Sequence, residues 1–320
     1  MNVLNKLRYV RMFIRHGLYF YSKQTNPQLE RERLSGEILR NTHSIEKGLS
    51  LEKIRKGFGI QKIEETKMLI LRFIALKGSP NAIPLKMFVS ALSAYLNYHD
   101  SINFADSNIQ KAQQIFAELI KLISIPQQQM GGILYVKKPI YHTKQIENVK
   151  SLFYNRHSVR EFGKEPINEQ RLKLAIELAM RCPSACNRQC YRVHIVHKSA
   201  FSNLDNWMDG VGGFANDMDK MLIITGNISV YRLSEPYQHI VTATVFASYL
   251  TLSLEAYGIG CCFVQREVIP NKRWAILAKK LNIPVNEEIV CCLCIGSLKD
   301  EYKVPVSYRL PYDTIVSEIK

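Results

Sequence analysis

Nowhere does the sequence offer the roughly 18–20 uninterrupted apolar residues that a membrane-crossing helix needs. It contains neither G-x-G-x-x-G nor G-x4-G-K-S/T, so Rossmann-type and P-loop nucleotide binding have no support. No zinc-finger, basic-zipper or RNA-binding aromatic motif is present, and no internal repeat or long low-complexity tract. Nothing at the N-terminus combines an apolar segment with a small-residue cleavage site, so a cytoplasmic location is expected. Acidic residues are scarce, 28 against 43 Lys and Arg over 320 residues, for a formal charge of +15.

That excess describes solubility and anionic partners rather than fold. The cations are scattered, and charge alone is weak grounds for nucleic acid, so no nucleic-acid partner is expected. Phosphorylated cofactors or a membrane surface account for the charge equally well. The chain is 47% hydrophobic and 22% charged, the balance of an ordinary globular protein. Five of its eight cysteines, Cys261, Cys262, Cys291, Cys292 and Cys294, fall inside apolar runs, where a free thiol behaves as a small hydrophobe.

The first segment, 3–21, repeats Leu4, Leu7, Val10, Ile14 and Leu18 at helical spacing, with Arg8, Arg11 and Arg15 on another face. Packing against its own protein or a partner subunit is the expectation, and peripheral contact with an anionic membrane the alternative. After this helix, periodicity is weak to residue 64. Three helices are expected between 66 and 124, broken at Gly78-Ser79-Pro80 and between Asp100 and Asp106. A Gln- and Gly-containing loop near 127–132 precedes a change in texture, and the chain is divided into 1–147 and 148–320.

Beyond 148, strands and helices mingle. A helix ends near Tyr154, and Asn168 caps another that runs to about Met180. Strands are expected at 191–197, 221–225, 261–264 and 289–295, with helices at 237–257 and 270–281. The class expected is α+β: a mixed sheet flanked by helices, preceded by a helical extension.

Two segments carry chemistry. Arg156, Ser158 and Arg160 place two guanidinium groups and a hydroxyl within five residues, and in an extended segment alternate side chains converge on one anion. The turn Pro183-Ser184-Ala185-Cys186-Asn187-Arg188-Gln189 has small residues that let backbone approach a ligand. Its Asn187 and Gln189 supply donors and acceptors. Either alone is commonplace.

Together and in order, R-H-S-V-R, an amphipathic helix and C-P-S-A-C-N-R-Q-C-Y resemble the opening signature of the FMN-dependent nitroreductase family. The resemblance covers about 148–312. It implies that Arg156 and Ser158, with His157 between them, hold the flavin phosphate and ribityl chain, and that Arg160 faces the pyrimidine edge. Asn187 would contact the ring, with Pro183, Ser184 and Gln189 in the same turn. The helix 241–257 and G-I-G-C-C-F look like the family's long helix and Gly-turn, which would bring the backbone of Gln265 and Arg266 beside the flavin. Val304-Pro305-Val306-Ser307-Tyr308-Arg309 is similar to the family's tail, making Arg309 a second phosphate cation. Three positions depart from the pattern: Cys190 and Tyr191 stand where Pro and Trp are usual, and His239 where an Asp opens the long helix.

The resemblance further implies a homodimer with flavin sites at the subunit interface, and transfer of hydride from NAD(P)H through FMN to an unidentified small-molecule acceptor. Arg40-Asn41-Thr42-His43-Ser44-Ile45-Glu46-Lys47-Gly48-Leu49, with Arg55 and Gly57-Phe58-Gly59, looks like the front extension of nitroreductase-like proteins associated with surface-polysaccharide synthesis. A helix-end salt-bridge cluster is the expected role of His43, Glu46 and Lys47. The alternative reading is a catalytically degenerate flavin-binding partner or regulator in glycan assembly. Cys182, Cys186 and Cys190 have C-x3-C-x3-C spacing, but Pro183 breaks the helix that would align them, so no metal is expected.

Overall fold

The computed structural model describes residues 3–140, 142–200, 208, 210–267 and 272–319. Strands form where the chain stays apolar on both faces. Every residue of β2 (Lys220–Asn227) is buried, and so is β4 (Glu287–Ser297) apart from its two end residues. Strands of that kind need cover on both sides. They occupy the centre of a four-stranded sheet of order β1-β2-β4-β3, edged by β1 (Tyr191–His197) and β3 (Ile259–Gln265). All three pairings are antiparallel, with a bulge between Ile224 and Thr225, so the α+β class holds while the described sheet is antiparallel rather than mixed.

One face of the sheet is covered by α7 (Glu169–Ala179) and α8 (Gln238–Ala256). Leu172, Phe246 and Leu250 pack there on Leu222 and Leu293. Because α8 is pressed between the sheet and α7, it is apolar around most of its circumference, and Gly258 at φ 68° ends it in the left-handed conformation. The other face is covered by Met208, Phe214 and Met218 together with Trp274 and Leu277 of α9 (Lys272–Lys280). The expected first residues of this helix, 270 and 271, lie outside the described residues.

The N-terminal half is helical, with a core of its own. The three expected helices appear as α3 (Ile60–Ala75), α4 (Ile83–Ser101) and α5 (Ser107–Leu119). They bury Ile63, Leu85, Leu92, Tyr95 and Ile115 against Ile38 and Ile45 of α2 (Glu30–Leu49). Helix α2 was not legible in the sequence, because its buried face includes Gly36, Asn41 and Thr42 and its hydrophobic period is hidden. Gly36 is needed there. A Cβ at that position would stand 2.3 Å from the carbonyl oxygen of Val230, so only glycine lets α2 lie against the 3-10 turn Ile228–Val230. Ionic contacts join the same two parts: Arg232 meets Glu37, which also binds Arg40.

Helix α1 (Val3–Thr25) packs by a face the sequence did not single out. His16, Phe20 and Gln24 are buried against the sheet-containing half, and Gln24 donates to the Ile228 carbonyl at 2.7 Å. The apolar stripe Leu7, Val10, Ile14 and Leu18, expected to pack, stands in solvent within this chain. Toward the end of α2, two members of the expected cluster, His43 and Glu46, meet at 3.5 Å without Lys47, and Glu46 also accepts from the Gly132 amide.

Candidate functional site

The chain leaves α6 (Thr143–Asn155) at Arg156 and turns extended. It then runs beside the sheet: the Val159 amide donates to the Cys261 carbonyl at 2.9 Å, and Phe162 bridges to Leu298. Val159 and Phe162 are buried, which fixes the residues just before them at the surface. Arg156, His157 and Ser158 there line a cavity of about 960 Å³ between α6 and the tail 305–309, and Arg309 lines it from the tail side. Four of the residues expected to bind cofactor are thus gathered at one place.

The rest of the cavity suits a ligand with an anionic end and an aromatic body. Ile146, Val149 and Phe153 of α6 repeat at helical spacing and, with Val306, make an apolar wall. Lys150 and Ser307 add a further cation and hydroxyl. Among the described residues neither Arg156 nor Arg309 is ion-paired, so both guanidinium groups are available to an anion. The volume lies within the usual range of small-ligand sites, roughly 300–1,000 Å³. The α6 residues escaped the sequence reading. Their one signal was an apolar i, i+3, i+7 stripe ending where the basic segment begins.

The other expected site residues lie elsewhere in the single chain. Arg160 is exposed outside the cavity lining and its guanidinium contacts the Ser158 carbonyl. The turn after α7 is backbone-strained: Cys186, Asn187 and Gln189 have φ of 51°, 53° and 42°, values rarely adopted by side-chain-bearing residues. Strain of this kind persists only where surroundings impose it and is frequent at ligand sites. The Gln189 amide donates to the Ser184 hydroxyl at 3.2 Å, and its side chain donates to Asn187 at 3.0 Å. Pro183 opens the turn.

The residue that imposes the strain was not a candidate. Arg188 is buried, grips Glu235 through both terminal nitrogens at 2.8 and 2.6 Å, and stacks over Tyr231 at 4.2 Å. It also donates to the Ala185 and Val230 carbonyls, tying the turn to the segment beneath α2. Sequence gave no signal for this, since its partners outside the turn, Val230, Tyr231 and Glu235, lie more than forty positions away.

At the end of β3, Gln265 is exposed while Arg266 turns inward. Its guanidinium donates to Glu288 at 2.5 Å and to the Ile289 carbonyl, so its side chain is committed to the interior and only its backbone remains for a ligand. Glu288 also meets His239 at 2.9 Å and His16 at 3.4 Å. Burial alone would push its carboxyl up, yet these hydrogen bonds and the Arg266 charge hold it well below the usual carboxylate range. The position at which an Asp was expected is therefore a histidine serving a buried carboxylate.

The thiols read as structural. Burial pushes Cys190 up to about 11 and Cys291 and Cys294 to about 12, so none of these supplies a thiolate near neutral pH. Cys190 donates to the His239 carbonyl rather than meeting its ring, and His194 is engaged by Glu287 at 2.7 Å. Among the described residues, no group of three or more His, Cys, Asp or Glu side chains is placed to hold a metal ion. No described helix is long and apolar enough to cross a membrane.

Residues 154–210, which hold both the cavity segment and the strained turn, match the family model described as "Nitroreductase family". Over that segment the chain is nitroreductase-like. A "NADH dehydrogenase" of Thermus thermophilus is 24% identical over 206 residues, 54% of this chain and 97% of the relative. Among solved structures, an FMN-dependent nitroreductase from Clostridium difficile R20291 aligns with TM-score 0.45 and 19% identity, covering 53% of this chain and 99% of its own. A nitroreductase family protein from Streptococcus pneumoniae TIGR4 gives 0.46 and 17%, over 53% and 100%. These relatives span about half of this chain.

Proposed function

We propose that this protein is an FMN-dependent oxidoreductase of the nitroreductase type that takes hydride from NAD(P)H and delivers it to a small-molecule acceptor. The observation that carries the reading is the convergence of Arg156, Ser158 and Arg309, distant in sequence, on one cavity with an apolar wall. The donor set fits the cofactor: guanidinium groups and hydroxyls match a phosphate, and the wall made by Ile146, Val149 and Phe153 matches a flat ring. Bound FMN would supply the redox chemistry, accepting and releasing hydride, while the protein positions it and tunes its charge.

Arg156 and Arg309 would neutralise the phosphate from two sides. Asn187 and Gln189 offer amide groups on a backbone that Arg188 keeps from relaxing. Within one chain the turn 183–189 and the cavity do not form a single pocket, and a second subunit is the natural complement. The exposed apolar surface supports this. Phe153 is 60% exposed on α6, and Val306, Tyr308 and Tyr312 are 90%, 87% and 72% exposed along the tail. Large apolar side chains this exposed favour an interaction site. The site is accordingly read as shared between two copies, with 148–320 as the flavin half and 1–147 as the extension. A place in surface-polysaccharide synthesis rests on the resemblance of residues 40–59 alone.

The test is the absorbance spectrum of the purified protein, identification of any flavin released on denaturation, and oxidation of NADH or NADPH by the loaded protein. Bound FMN with turnover supports the reading. FMN without turnover favours the degenerate partner, and a protein that refuses added FMN removes both.

A further inference from the structure

Helix α1 carries a surface that the flavin reading does not use. Leu7, Val10, Ile14, Leu18 and Tyr21 are each more than half exposed, between 53% and 63%. At about 100° per residue they fall within one stripe some 80° wide. His16, Phe20 and Gln24, the residues that hold the helix to the protein, lie about 120° around from the centre of that stripe. Arg8, Arg11 and Arg15 follow along its other border and are also exposed. Toward the N-terminal end Tyr9 and Phe13, 57% and 41% exposed, extend the apolar surface where the packed face has run out of protein to meet.

Charge identifies the occupant. No Asp or Glu precedes Glu30, while Lys6, Arg8, Arg11, Arg15 and Lys23 all lie on α1. An apolar stripe bordered by cations and free of acids is complementary to an anionic interface that is apolar just beneath its surface. A protein partner would need an acidic rim around an apolar groove; a second copy pairing its α1 stripe with this one would bring the exposed arginines of both helices together. Nor is the helix a loose tail. His16 stacks on Tyr237 at 5.3 Å and interplanar 1°, and contacts Glu288; Gln24 holds the Ile228 carbonyl. The stripe is presented in a fixed orientation.

We propose that α1 is an interfacial anchor that seats this protein on an anionic lipid bilayer. Leu7, Val10, Ile14 and Leu18 would enter the acyl boundary, with Arg8, Arg11 and Arg15 at the headgroups. The anchor lies along the surface and does not cross the membrane. It orients the rest of the protein through the contacts of His16 and Gln24. The inference stands independently of the flavin reading.

The test is co-sedimentation of the full chain with phosphatidylcholine vesicles, with and without roughly one-third phosphatidylglycerol. Binding is expected to the anionic vesicles only and to weaken as salt is raised. Leu7→Gln, Ile14→Gln and Leu18→Gln combined keep the charge and touch no packed side chain. At roughly tenfold or more per apolar side chain withdrawn from the bilayer, they should abolish sedimentation. Arg8→Gln, Arg11→Gln and Arg15→Gln combined should weaken binding about 100-fold, near fivefold per cation, and remove most of the salt dependence. Circular dichroism and flavin content serve as controls that both variants are folded. Wild-type protein that ignores anionic vesicles, or that binds equally well after both sets of changes, overturns the proposal. So does an apolar-stripe variant that changes only the size of the protein in light scattering, which would make the stripe an interface between copies.

Discussion

Two glycine-to-alanine substitutions, one helix apart, should move stability in opposite directions. In a helix interior, alanine is favoured over glycine by about 1 kcal/mol, because glycine surrenders more backbone freedom on folding. At Gly17 of α1 nothing lies within 4 Å of an added Cβ, so Gly17→Ala should stabilise by about that amount. At Gly36 of α2 the same Cβ would stand 2.3, 2.7 and 2.8 Å from the carbonyl oxygen, Cα and carbonyl carbon of Val230. Every obstacle is backbone, and the backbone is pinned. Gln24 and Arg188 both donate to carbonyls of the turn, and Asn227 accepts from the Ser229 amide at 2.9 Å. Overpacking of this kind costs roughly 1–3 kcal/mol or more. A 2.3 Å approach to pinned backbone belongs at the upper end of that range, so after the propensity gain Gly36→Ala should destabilise by about 2 kcal/mol, a fall of a few degrees in Tm for a protein of this size. Because α2 also lies along the turn Ala185–Asn187, flavin retention should fall with it. Thermal unfolding of both variants is the assay. A Gly36→Ala protein as stable as Gly17→Ala would refute the docking of α2 on Val230.

Three further outcomes are expected. Arg156→Ala and Arg309→Ala should each weaken FMN retention about 10- to 100-fold in equilibrium dialysis, the worth of a charge-assisted hydrogen bond to phosphate; unchanged retention would remove that residue from the site. Glu288→Gln leaves Arg266 buried beside a neutral amide and should cost about 3–5 kcal/mol in urea unfolding. The carboxyl is held below its unfolded value, so its stabilisation is complete above the unfolded pKa of about 4.3 and is lost as pH falls below it toward the folded one. The acid limb of a stability–pH curve should therefore flatten in the variant, and an unchanged limb would assign acid lability to other groups. With a thiol-reactive probe, Cys186 should label first in native protein, since the other seven cysteines are buried; several fast-reacting thiols would contradict the packing of β3 and β4.

Much of the sheet-containing half was legible in the sequence. The strand expected at 191–197 is β1 residue for residue, and Asn168 caps α7 by accepting from the Arg171 amide at 3.0 Å. Strands β2 and β4 announced themselves as apolar runs bounded by polar residues, and α8 as a long apolar helix stopped by glycine. Short-range chemistry fixes such features, because a cap, a period or a left-handed glycine acts over a few residues. The basic segment at 156–160 and the turn at 183–189 were visible for the same reason.

Tertiary structure decided what depends on contacts between distant residues. Helix α2 is stabilised by the helices and turn packed around it, and its buried Gly36, Asn41 and Thr42 left only weak periodicity in the sequence. Which face of α1 packs was settled by His16 meeting Glu288 across 272 positions, a partnership no periodicity encodes. Arg309 joins Arg156 only because the tail returns to α6, and Arg266 leaves the surface only because Glu288 lies behind it. Local preference sets which elements form; burial of charge and close backbone approach, felt only after the chain has folded, set which side chains remain free to bind.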